Sequence, residues 1–254
     1  MDFLFTPDVG PLVFLGLTVA SFAAAFIGVF TGAAGGVVLL LALMAMVLPP
    51  LAVIPVHTVV MLGAGVTRTM LMWRYVMRGT LVPFIIGGVI GAAAGAKIFI
   101  ALSAAALQAI LGGFILLVTW LPALGRIGAE RGRFAVLGFA ATFLGVFVSA
   151  TGTLIAPFVA SAAPDRRMHA ATMGALMTFA HVLKLAAFGF IGFAIASYVP
   201  LMVAMIATGA VGNWLGEIAL INTPERRFRL ILQVVLTLLG LRLLWGAARS
   251  AGWF

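Results

Sequence analysis

Phe26-Ile27-Gly28-Val29-Phe30 runs through Thr31 into Gly32, Ala33, Ala34, Gly35 and Gly36. Phe143-Leu144-Gly145-Val146-Phe147 runs through Val148 into Ser149, Ala150, Thr151, Gly152 and Thr153, an offset of 117 residues. Both stretches interrupt a hydrophobic segment near the start of one half of the chain. Paired interruptions at matching places in two membrane repeats are the best sequence pointer to a transporter's substrate site.

The surroundings of the two breaks fix the class. Of 254 residues, 64% are hydrophobic and 8% charged, with a mean hydropathy of +1.26. A soluble surface needs more charge than that. Apolar runs of about 20 residues recur from end to end, the length that spans a bilayer as helix. Backbone in lipid must satisfy its own hydrogen bonds, and these runs lack the polar–apolar alternation of a barrel strand. The fold class expected is therefore an all-α polytopic membrane protein with no separate soluble domain. The chain has no cysteine, which removes disulfides, thiolate metal sites and thiol catalysis. Met1-Asp2-Phe3-Leu4 lacks a basic start, so no cleaved signal peptide is expected. The net charge of +9 sits mostly in short loops, where it sets topology; nucleic acid is not an expected partner, and the lipid bilayer is.

Ten hydrophobic segments are expected, at roughly 11–31, 36–48, 53–73, 81–100, 104–121, 133–150, 153–163, 168–188, 198–220 and 227–247. The second and seventh are too short to span comfortably and read as return limbs of broken or re-entrant elements, stopped by Pro49-Pro50 and by Pro164. Alternating the loops between two sides puts Arg74, Arg78, Arg126, Arg131, Arg133, Arg166, Arg167, Arg226, Arg227 and Arg229 on one side. Lys97, Arg242 and Arg249 fall on the other. Ten against three makes the first side cytoplasmic and puts both termini outside.

The charge pattern also inverts between the halves. Trp73-Arg74-Tyr75-Val76-Met77-Arg78-Gly79 is basic, and its counterpart at Phe190-Ile191-Gly192 is uncharged. Pro49-Pro50 is uncharged, and its counterpart Pro164-Asp165-Arg166-Arg167 is basic. Gly88, Gly91 and Gly95 reappear as Gly209, Gly212 and Gly216 at an offset of 121. Glycine ladders alone occur in any packed membrane helix; the charge inversion does not follow from packing. Two inverted-topology repeats of about five segments are expected, 1–125 and 126–254, within one membrane domain.

A half-helix that starts at such a break leaves its first N–H groups without intrahelical acceptors and carries the positive end of its dipole there. That is an anion site. The residues assigned to it are Thr31, Gly32, Gly35 and Gly36 at the first break, and Ser149, Thr151, Gly152 and Thr153 at the second. Glycine admits close backbone approach, and the hydroxyls donate unless they bond back to their own helix. Charged residues within spans are rare and mark pathways. Arg68 and His181 stand at equivalent positions, an offset of 113 counted from Gly79 and Gly192, and bring positive potential from two levels. Lys184 reads either as a third cation of the site or as a lysine snorkelling to the outer interface. Arg68 reads alternatively as the ion-pair partner of Glu217, and His181 as a core histidine or a proton-responsive group. His57, at the opening of the third segment, reads as lining the outer mouth or as interfacial. Asn213 and Glu217 share a helix face and read as interhelical glue or as part of a proton path.

No GxxxxGK[ST], HExxH, carboxylate cluster or Ser-His-Asp set is present. Neither ATP hydrolysis, a metal, a cofactor nor enzymatic chemistry is expected. Trp245 and Trp253 read as interface anchors.

Taken together, Phe26-Ile27-Gly28 with Gly32, Gly35 and Gly36, Leu144-Gly145 with Ser149, Thr151 and Gly152, the Arg74 to Gly79 turn and the Gly88, Gly91, Gly95 ladder resemble the TauE/SafE sulfite-exporter family over nearly the whole chain. The first break departs from a purer glycine run, and the second carries threonine where a further glycine would stand. The resemblance implies a permease for sulfite or an organosulfonate such as sulfoacetate, exporting from bacterial cells and so residing in the bacterial plasma membrane. The expected mechanism is alternating access around a midplane anion held by hairpins 28–37 and 145–154. The rival readings are an anion channel, which would pass currents far above carrier turnover, and a scaffold or sensor subunit, which would show no flux. The glycine ladders are compatible with a homodimer.

Overall fold

A computed structural model of the chain describes residues 9–31, 33–120, 132–193, 195–219 and 225–252. These form ten α-helices: α1 Pro11–Thr31, α2 Ala33–Val47, α3 Pro50–Leu71, α4 Arg78–Phe99, α5 Ala104–Trp120, α6 Arg133–Val148, α7 Gly152–Ala162, α8 Arg166–Phe190, α9 Val199–Ala219 and α10 Glu225–Ser250. Each follows one expected segment. The starts of α2, α3 and α4 each come three residues earlier than expected; α2 starts at Ala33 rather than at 36, so Gly35 and Gly36 lie inside its first turn.

Among the described residues, five helical stretches are long and apolar enough to cross a membrane: Pro11–Gly28, Arg78–Phe99, Arg167–Phe190, Ile195–Gly216 and Leu232–Ser250. The chain is a multi-pass membrane protein. Its large exposed side chains agree, since Leu12, Val82, Phe190 and Leu238 point outward as lipid-facing residues do and as a water-facing surface would not. At 1.5 Å per residue, α2 and α7 reach only about 22 and 16 Å, short of the roughly 30 Å hydrocarbon core.

The helices gather into two compact units, each drawn from both halves of the sequence. The first comprises residues 1–60, 102–121 and 194–254, where α1 packs along α9, α5 along α10, and α2 on α1. The second comprises 61–101 and 122–193, where α4 packs along α6 and α8 lies against both. The core of the second unit is aliphatic and aromatic, with Phe84, Ile155, Val159 and Leu176 fully enclosed.

A matching close approach occurs in each unit. A Cβ on Gly91 would overlap the carbonyl oxygen of Phe139, and a Cβ on Gly212 would overlap that of Phe22. Gly212 lies 121 residues after Gly91, and Phe139 lies 117 after Phe22, the two offsets read in the motifs. Phe22 stacks on Phe26 at 6.3 Å and 17°, and Phe139 on Phe143 at 5.7 Å and 9°. The pair α1–α9 and the pair α6–α4 thus each set a glycine against a phenylalanine carbonyl.

Asp165 fixes the start of α8. Its Oδ1 accepts the backbone N–H groups of Arg167 and Met168 at 2.8 Å each, satisfying two donors that the helix leaves open. Near that end the Tyr75 ring carries the Arg74 guanidinium at 4.8 Å and that of Arg167 at 5.9 Å.

Candidate functional site

The break between α6 and α7 is a tight double turn. Ser149 takes φ 56° and ψ −35°; among the described residues it is the one non-glycine with positive φ. The Ala150 N–H donates to the Val148 carbonyl at 2.6 Å, closing a three-residue turn around Ser149 of the rare, strained kind. Thr151 N–H then donates to the Ser149 carbonyl at 3.1 Å, and α7 begins at Gly152. Thr151 occupies the N-cap, yet its side chain makes no capping bond, and Oγ1 has no hydrogen-bond partner although the residue is fully buried. A threonine at this position ordinarily accepts from the second or third N–H of the helix. Here the first N–H groups of α7 and an uncommitted hydroxyl lie together in the interior.

Lys184 reaches this break from α8. Its Nζ donates to the Ser149 carbonyl at 3.2 Å, so the ammonium and the Thr151 N–H converge on one oxygen. The lysine is completely buried, which excludes the snorkelling alternative. Gly145 makes the room: a Cβ there would stand 3.0 Å from Cδ and 3.3 Å from Nζ of Lys184. An isolated buried ammonium costs several kcal/mol in lost hydration, and one carbonyl offsets only part of it. Asp165, the one carboxylate whose side chain is described, is engaged at the opposite end of α8. His181, buried at 2% exposure, precedes Lys184 by one turn. Gly152, on the α7 side, abuts Met177 of α8 at van der Waals distance.

The first break has a different character. Gly36 meets the backbone of Ala24 and Gly28 so closely that a side chain would collide, and Gly28 in turn faces Gly36. The glycines there serve the packing of α2 on α1. Gly32 lies outside the described residues, as do the side chains of Thr31, Arg68, Thr153 and Glu217, whose backbones belong to α1, α3, α7 and α9. His57 is fully buried in α3, with Nε2 3.2 Å from the carbonyl oxygen of Val37, and so ties α3 to α2. Asn213 is exposed on α9, beside the buried Gly212. The structure thus gathers Ser149, Thr151, Gly152 and Lys184 at one place in the second unit, with His181 one turn from Lys184 on α8; His57 and Asn213 belong to the other unit. Gly145, the residue that admits the lysine, is visible in the sequence only as part of the repeated Phe-x-Gly-x-Phe pattern. Its spacing to Lys184 carries no local signal.

A surface cleft of about 470 Å³ lies between α3 and α8, lined by Val66, Thr69, Met70, Trp73, Thr178 and Phe179. None of the sequence-assigned site residues whose side chains are described lines it. Thr69 and Thr178 bond across it at 3.1 Å. Among the described residues no group of three histidines or carboxylates stands close enough to hold a metal.

The model of the family described as sulfite exporter TauE/SafE matches residues 17–243. No curated protein and no solved structure matches the chain. With the match running over nearly its full length, the chain belongs to the TauE/SafE sulfite exporter family, a family of membrane transporters.

Proposed function

We propose that this member of the sulfite exporter family carries a sulfur-containing oxyanion, sulfite or an organosulfonate such as sulfoacetate, out of the cell by alternating access. The observation that carries the assignment of the site is Lys184. A fully buried ammonium reaches the backbone break where α7 begins, beside a buried threonine hydroxyl without a partner. An anion there receives the free N–H bonds of the ammonium, the Thr151 hydroxyl and the first backbone donors of α7, and it compensates a buried charge. His181 adds potential from one turn away. Arg68, its equivalent, is assigned to the same pathway by sequence position.

Two inverted repeats are the scaffold in this reading. The equivalent packing of Gly91 on Phe139 and Gly212 on Phe22 supports it, and so does the inversion of loop charge. Both termini then lie outside a bacterial plasma membrane. An interior-negative potential alone drives an anion outward, about 2.3 kcal/mol per charge per 100 mV, so export needs no other energy source. Proton coupling through His181 or Glu217, and assembly as a homodimer, belong to the same proposal.

Purified protein in liposomes tests it with labelled sulfite and a short sulfonate, with and without a pH gradient. Saturable uptake at carrier rates is the expected result. Currents orders of magnitude faster would make it a channel, and no flux from folded protein would make it a scaffold. Arg68→Ala with unchanged transport at normal expression would remove Arg68 from the pathway.

A further inference from the structure

Three helices of the second unit begin at the same end. Gly87 lies against the Ala135 backbone, Gly91 against that of Phe139 and Gly95 against that of Phe143; the contacts advance together, so α4 and α6 run parallel. The Met77 N–H donates to Thr172 Oγ1 at 3.0 Å, and Gly88 faces Leu183, so α8 runs the same way. Arg78, Arg133 and Arg167 therefore lie in three first turns at one end, with Arg74 on the short turn Trp73–Tyr75 that leads into α4. Asp165 is the one carboxylate described there, and the α8 backbone engages its Oδ1. A helix N-terminus is already positive, so these arginines do not serve the helices. Membrane topology accounts for basic residues at this end. It does not account for two of them on one ring. The Arg74 and Arg167 guanidiniums lie 4.8 and 5.9 Å from the Tyr75 centroid, and among the described residues neither forms an ion pair.

The cleft between α3 and α8 opens beside this pair, because Trp73, the neighbour of Arg74, is one of its walls. The other walls are Val66, Met70, Phe179 and the two threonines 69 and 178, whose hydroxyls bond to each other. Met70 is 73% exposed and Trp73 40%, so the cleft is open to hydrocarbon from the side. Thr178 follows Arg167 on α8 by about 16 Å along the helix axis. A charged head at the guanidiniums and an apolar tail down the cleft are thus complementary to one continuous surface. A soluble anion would leave the cleft unused, and a zwitterionic lipid would bring its own cation to the arginines. We propose that this end of the second unit binds an anionic phospholipid, with its phosphate on Arg74 and Arg167 over Tyr75 and an acyl chain in the α3–α8 cleft.

Brominated acyl chains quench tryptophan on contact, and Trp73 reports the cleft. The full chain is reconstituted in phosphatidylcholine bilayers with a rising share of brominated phosphatidylglycerol or, separately, of brominated phosphatidylcholine. Quenching seen in wild type and missing from Trp73→Phe belongs to the cleft. Half of it should be reached when about one lipid in ten is brominated phosphatidylglycerol, against about one in two for brominated phosphatidylcholine, a preference of roughly 10-fold. Equal behaviour of the two lipids, or quenching that Trp73→Phe leaves unchanged, overturns the proposal. The double variant Arg74→Gln/Arg167→Gln should lose the preference. The double variant Arg242→Gln/Arg249→Gln, which removes the same charge from exposed positions on α10, should keep it. Loss in both would reduce the effect to the general attraction of a basic protein and overturn the site. Should the first double variant fail to fold, Arg74→Gln alone should lose about 3-fold of the preference or more, and an undiminished preference counts against the proposal. Excess glycerol 3-phosphate, a headgroup without chains, should leave the quenching in place; relief at millimolar concentration would assign the arginines to a soluble phosphate and refute the lipid. None of these arms measures flux, so the outcome is independent of the transport reading.

Discussion

Ser149 and Thr151 are each less favourable for the fold than a plausible replacement. The φ of 56° at Ser149 is a conformation that strains a residue with a Cβ, by about 1–3 kcal/mol, and glycine relieves it. Ser149→Gly is therefore expected to stabilise the protein by roughly 1 kcal/mol in a thermal melt while slowing anion exchange; a lower melting temperature would contradict the strain. The Thr151 hydroxyl is buried and uncommitted, so its removal leaves no partner stranded. Thr151→Val should melt at or above the wild-type temperature and exchange the anion several-fold more slowly. A clear loss of stability would show that the hydroxyl has a structural bond instead. Both residues are legible as site candidates from their place in a repeated break. The positive φ is not, because a serine gives no local sign of it; only the glycine at position 32 hints that this place asks for one.

Helix pairing rests on surfaces shaved to backbone. Gly91 and Gly212 each lie against a phenylalanine carbonyl, and neither position has space for a methyl group. Gly91→Ala and Gly212→Ala should each cost about 2 kcal/mol or more, since backbone rather than a side-chain tip must move. Gly113 in α5 has nothing within 4 Å of the place that an alanine methyl would take, and Gly113→Ala should be neutral or stabilising by up to about 1 kcal/mol. Melting curves of the three variants decide this; equal effects would remove the distinction between packed and open glycines. The ten segments are readable from hydropathy, and the ladder of glycines from spacing. Which helices those glycines join is not readable, because α4 meets α6 and α1 meets α9 across long sequence separations. The start of α2 departs from the hydropathy reading for a local reason: residues 33–35 look like part of the break in sequence, yet Gly35 and Gly36 serve in the thin first turn of a helix packed on Gly28.

At the scale of the whole molecule, orientation and transport are the claims to test. The chain has no cysteine, so single replacements report sidedness without background. Ser103→Cys should react with an impermeant thiol reagent from outside, and Arg78→Cys only after the membrane is opened; both positions are exposed. The reverse pattern would invert the topology drawn from ten basic residues against three. Length, composition and loop charge make the membrane class legible. Substrate chemistry is legible only as far as an anion, since it depends on where Lys184 points, and sequence alone leaves that choice between interface and interior. Its burial against the Ser149 carbonyl is what turns a glycine-rich break into a candidate binding site. The most direct test is counterflow of labelled methanesulfonate in proteoliposomes of wild type and Lys184→Met, with both proteins verified as folded. Transient accumulation of label against its gradient in wild type, reduced about 30-fold or more in Lys184→Met, is the predicted result. Equal accumulation in the two would contradict a carrier built around this lysine.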